Sequence, residues 1–116
     1  MLAGGAGFAS AQGYYGGVYF ERYPTPRGPE VWDRVQDDLN RAAYDVYGSD
    51  HRISHARKEV SDVQHQLWRG HFDRHEMGEA IDAVYHVLDR DRLPEGDRRM
   101  LWNDLEAMRR FRDNAY

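Results

Sequence analysis

Four stretches of the sequence repeat apolar residues at steps of three and four, with only short turn-forming segments between them. This pattern constrains the fold more than any other feature, because a stripe at helical spacing must find a partner face or stay in water. The first stripe is Trp32, Val35, Leu39, Ala42 and Val46. Pro29 suits its start, since the missing N–H is not needed there, and Gly48 suits its stop. Glu30/Arg34 and Asp37/Arg41 support it as i,i+4 pairs. The second stripe, from about Asp50, is Ile53, Ala56, Val60, Val63 and Leu67, with Gly70 as its stop. The third opens on the clearest local signal in the chain. Asp73 and Glu76 read as a D-x-x-E capping box, and Phe72 and Met77 as a hydrophobic staple. Its stripe is Met77, Ile81, Val84 and Leu88, ending near Asp91. Leu93-Pro94 opens the fourth, in which Leu101, Leu105 and Met108 are flanked by Trp102 and Phe111, with Glu95/Arg99 and Glu106/Arg110 as supporting pairs.

Turns this short force neighbouring helices to run antiparallel. The expectation is an all-α fold: an antiparallel up-down-up-down four-helix bundle over residues 29–116, preceded by an extended Gly/Tyr/Pro-rich N-terminal arm. Three packed helices, with the first swung outward or swapped to a neighbouring copy, is the second arrangement the stripes allow.

The arm, residues 12–28, reads QGYYGGVYFERYPTPRG. Pro24 and Pro26 forbid regular helix there. Tyr14, Tyr15, Tyr19, Phe20 and Tyr23 are candidate interaction residues, because aromatic rings supply contact area with few rotors to freeze. Packing of the arm on its own domain is the plainer alternative. Residues 1–11 are small and apolar, and Ala9-Ser10-Ala11 before Gln12 has the small-x-small form of a signal-peptidase site. They read as a signal-peptide remnant or a disordered tail, and the first reading places the protein outside the cell or in the periplasm.

Several function classes are disfavoured. The formal net charge of −4 creates no field drawing the whole chain to nucleic acid. Arg98, Arg99, Arg109, Arg110 and Arg112 are interleaved with Asp97, Asp104 and Glu106, and the later arginines suit the negative end of a helix. No apolar run approaches the ~18 residues that span a bilayer. The absence of cysteine removes disulfides, thiolate nucleophiles and Cys-ligated zinc. No serine sits in a G-x-S-x-G elbow, and no E-x-x-H pair is present for a di-metal bundle site. Asp89-Arg90-Asp91-Arg92 begins like a calcium loop, but Pro94 and Met100 occupy the positions that need glycine and a bidentate glutamate. Paired carboxylates abound, with nothing in the sequence to place one in an apolar pocket. No catalytic residue and no cofactor are assigned, and the chain is read as a non-enzyme.

Histidine is the remaining chemistry. His51 and His55 share one helical face, and His75, Glu79, Asp82 and His86 share another, at spacings that could ligate Zn, Cu or Ni. A solvated polar face is the plainer account of both clusters, since surface positions must be polar anyway. Trp32, Trp68 and Trp102 are either an aromatic pocket or residues at the margin of the core.

The runs GHFDRHEMGEAIDAV and DRDRLPEGDRRMLWNDLEAMRRFR resemble uncharacterised small secreted all-helical proteins of soil bacteria, over roughly residues 33–113. The resemblance implies helices and export, and it carries no site residues. The functional expectation is a non-enzymatic exported structural or interaction protein that binds protein, itself included, through the aromatic arm as a homo-oligomer or filament. The alternative is a periplasmic metal-binding or stress-response bundle using the surface histidines.

Overall fold

Two of the four helices start where an aspartate side chain caps their first turn. The computed structural model describes residues 28–46 and 50–114. It contains α1 (Glu30–Asp45), α2 (His51–Trp68), α3 (Arg74–Arg90) and α4 (Glu95–Asn114), with no strand among the described residues. Asp50 caps α2 by accepting from the backbone N–H groups of Arg52 and Ile53 at 2.9 and 3.4 Å. Asp73 caps α3 by accepting from the N–H of Glu76 at 3.1 Å. Both caps satisfy donors that the first helical turn leaves orphaned. Gly70 ends α2 at φ +82°, a left-handed conformation that a side chain opposes. Its N–H donates to Leu67 O at 2.9 Å and that of His71 to Gln66 O at 2.8 Å, the two bonds of a Schellman stop. The expected stop at Gly48 lies outside the described residues.

The stripes meet as expected. Trp32, Val35, Leu39 and Ala42 of α1 are fully buried against Ile53, Ala56, Val60 and Val63 of α2, Met77, Ala80, Ile81, Val84 and Leu88 of α3, and Leu101, Leu105 and Met108 of α4. Each helix packs on its two neighbours and not on the diagonal one, so the bundle is an up-down-up-down square with α1 between α2 and α4. One end of the square gathers the start of α1, the α2–α3 turn and the end of α4. There the Phe111 ring lies 5.9 Å from Trp32 and 6.2 Å from Phe72, centroid to centroid.

Local details depart from the sequence reading. Glu76 does not return to the Asp73 N–H to complete a capping box; its carboxyl turns to Glu59 of α2. Phe72 is 61 % exposed beside Phe111. Arg41 pairs with Asp38 at 3.6 Å and Arg109 with Glu106 at 3.8 Å, each one residue away from the i,i+4 pairing expected, while Glu95–Arg99 forms at 3.4 Å. The tryptophans do not gather into a pocket. Trp32 is in the deep core, Trp68 is 83 % exposed, and Trp102 is partly exposed with its ring 6.3 Å from Tyr85.

Candidate functional site

The antiparallel run of α2 and α3 brings the two histidine faces to one place. His51, His55 and Glu59 lie four residues apart along α2, and Glu79, Asp82 and His86 line the opposing flank on α3. Together with Ala83, and with Arg52 and Arg90 at one end, they bound a groove of about 520 Å³. Ala83 is small, so the space between the longer flanking side chains stays open. His75, the remaining candidate, sits further along α3 with its Nε2 3.2 Å from Glu79 Oε2. His55 Nε2 is 3.9 Å from Glu59 Oε2. All six histidines of the chain are exposed.

Past the far end of this groove three carboxylates crowd together. Oxygens of Glu59, Asp62 and Glu76 lie within 4.8 Å of one another. Partial burial, then the hydrogen bond to Glu59 and the charges of Glu59, Asp62 and Glu79, push the Glu76 carboxyl up to about 7. Lys58 Nζ, 3.2 Å from Asp62 Oδ2, supplies a compensating charge.

The expectation that no carboxylate enters an apolar pocket is overturned on the other side of the bundle. Asp104 of α4 is 2 % exposed and hydrogen-bonds Asp38 of α1, which is also buried. Burial, then that bond and the Asp38 charge, push the Asp104 carboxyl up to about 10, against Arg34 and Arg41. Arg34 Nε stands 3.9 Å from Asp104 Oδ1. One heptad along the same seam, buried Asp97 pairs with Asp45, and burial followed by that bond raises it to about 6. A third pair, Asp50 with Asp91, closes the opposite end of α2 and α3. Burial and then the Asp50 bond raise Asp91, while Arg52 Nε, 2.8 Å from Asp91 Oδ1, opposes them. Oδ2 of Asp38, Asp97 and Asp104 are each buried without a hydrogen-bond donor, and a proton on Asp104 supplies one at the deeper pair. This chemistry was missed because an aspartate beside a core leucine reads as surface. The available signal is the seven-residue spacing of Asp38/Asp45 and Asp97/Asp104, which an antiparallel pair brings into register.

The exposed aromatics form a second candidate surface. Trp68 and Phe72 flank the α2–α3 turn, beside a hollow of about 780 Å³ whose lining includes Arg69, His71, Phe72 and Arg74. Tyr14, Tyr15, Tyr19, Phe20 and Tyr23, the candidate interaction residues, lie outside the described residues, and so do residues 1–11. No helix among the described residues is long and apolar enough to cross a membrane. No protein family, curated protein or solved structure matches the chain.

Proposed function

We propose that the chain is an exported, non-enzymatic interaction protein that self-associates, the aromatic arm of one copy docking on the α2–α3 turn of another. The observation that carries this reading is the pair Trp68 and Phe72, 83 % and 61 % exposed at the end of the bundle from which the arm departs at Gly28. Large aromatics left in water at one place mark contact surfaces more often than single exposed leucines do. The neighbouring Arg69 suits tyrosine partners, whose ring faces attract guanidinium groups. Pro24 and Pro26 exclude regular helix from the arm, which suits an extended segment that presents its rings to a partner. The small-x-small stretch before Gln12 supports export.

Each large aromatic buries roughly 150–250 Å², worth roughly 4–6 kcal/mol gross at about 25 cal/mol per Å². Association costs about 4–15 kcal/mol, so one ring is insufficient and several from both sides are needed. The expected complex is therefore concentration-dependent. Light scattering of the full chain across a concentration series tests it. Mass should rise with concentration, and deletion of residues 12–28 should return a helical monomer. A full chain that stays monomeric at its highest attainable concentration overturns the reading.

A further inference from the structure

We propose that the groove between α2 and α3 is a divalent transition-metal site, in which His51 and His55 from α2 and His86 and Asp82 from α3 supply the ligands. Three imidazoles and one carboxylate make a four-coordinate nitrogen/oxygen set that suits Zn²⁺, and equally Ni²⁺ or Cu²⁺. His51/His55 and Asp82/His86 are each four residues apart, so each pair shares one helical face, and both pairs line the same groove.

Two further features favour a cation here. His55 Nε2 is turned toward Glu59 Oε2 at 3.9 Å, which leaves Nδ1 for a metal. That separation is longer than a hydrogen bond; closed by a small side-chain movement, it would let Glu59 hold the far nitrogen, which orients a metal-binding imidazole and makes it more basic. The two arginines on the groove do not repel a cation at full strength. Arg52 is engaged by Asp91 at 2.8 Å and Arg90 by Asp89 at 3.2 Å.

Among the described residues, the ligand atoms already within 4.8 Å of one another belong to Glu59, Asp62 and Glu76. That triad is already engaged by the Glu76–Glu59 hydrogen bond and by the Lys58 charge on Asp62. The groove histidines are exposed, and binding a metal requires the two flanks to close their side chains on the ion. This site is separate from the aromatic turn, and its test does not depend on self-association.

Calorimetric titration of the full chain, without a polyhistidine tag, with Zn²⁺ and with Ni²⁺ near neutral pH provides the test. One ion per chain is expected, together with a rise in Tm, since an ion bound only by the folded state stabilises it. Loss of an outer partner of a metal ligand typically weakens binding 10–100-fold, so His55→Ala and His86→Ala should each weaken it by at least about tenfold. His71→Ala should leave it unchanged. All these histidines are exposed, so the variants should keep the helical spectrum of the parent. Ni²⁺ should broaden the imidazole resonances of His51, His55 and His86 before those of His71. Zinc and nickel binding no tighter than millimolar overturns the proposal. Binding that survives His86→Ala also overturns it, because the site would then not bridge the helices. A response confined to Ca²⁺ or Mg²⁺ would assign the ion to the acidic triad instead.

Discussion

The α1/α4 seam and the α2/α3 seam start from the same ingredient, carboxylates brought together by antiparallel helices, and treat it in opposite ways. Between α1 and α4 the groups are sunk into the core. Asp104 is 2 % exposed, and Asp38 and Asp97 are buried; burial holds the Asp104 carboxyl protonated at neutral pH beside Asp38, and raises Asp97 beside Asp45 only to about 6, with Arg34 and Arg41 standing by. Between α2 and α3 most of the groups are partly or fully exposed, the exception being Asp91, buried against Asp50 at the far end. Imidazoles interleave with them, Glu79 is paired to His75 at 3.2 Å, and the flanks remain open as a groove. Depth is the difference. A buried carboxylate with no room for water recruits a proton, whereas an accessible one is free to recruit a cation or a partner. The same α2–α3 hairpin carries the exposed Trp68 and Phe72 at its turn.

The hardest way to break this contrast is through the core of the closed seam. Leu105 is fully buried, and Leu105→Ala should cost about 2–5 kcal/mol in urea unfolding. Trp68→Ala, at a position 83 % exposed, should change stability by no more than about 0.5 kcal/mol while removing association.

The next largest effect is on pH. Asp97, Glu76 and Asp104 are held at about 6, about 7 and about 10, above the ordinary carboxylate values near which they titrate once unfolded. The native state therefore binds more protons than the unfolded chain between those limits, and stability falls as pH rises through them. Tm should be several degrees lower at pH 8 than at pH 5. The two seams separate within this curve. Glu76→Gln should flatten the curve only between 4.5 and about 7, whereas Asp104→Asn should flatten it across that range and on into alkaline pH to about 10, since an amide keeps a hydrogen bond without a charge to bury. Stability that rises from pH 5 to pH 8 would contradict both assignments.

Smaller effects belong to the helix ends. Asp50→Ala and Asp73→Ala should each lower stability by about 1 kcal/mol through loss of a cap. Gly70→Ala should cost about 1–2 kcal/mol, because a Cβ at φ +82° crowds the following carbonyl. Denaturant midpoints check all three.

Much of this architecture is legible in the sequence because it is local. The stripes, the caps at Asp50 and Asp73 and the stop at Gly70 each depend on residues within one or two turns. What depends on helix rotation and pairing is not legible. His51 and His86 are visibly polar surface residues, but only the phase of α2 against α3 puts them on one groove. Asp38 and Asp104 sit at the edge of their stripes, where a degree of rotation separates surface from core. Glu76 illustrates both cases. Its place in a capping box follows from spacing, whereas its actual partner, Glu59, lies on another helix.

The claim that one end of the α2–α3 hairpin receives the arm of a second copy can be measured directly, because a chain without cysteine takes a single label cleanly. A spin label on Gly16→Cys in unlabelled protein, mixed with ¹⁵N-labelled full chain, should broaden the Trp68 indole signal and the amides of residues 67–73. Amides near His86 and Arg90, at the opposite end of α3, should stay sharp. Unchanged spectra on mixing, or broadening confined to residues away from that turn, would contradict the account.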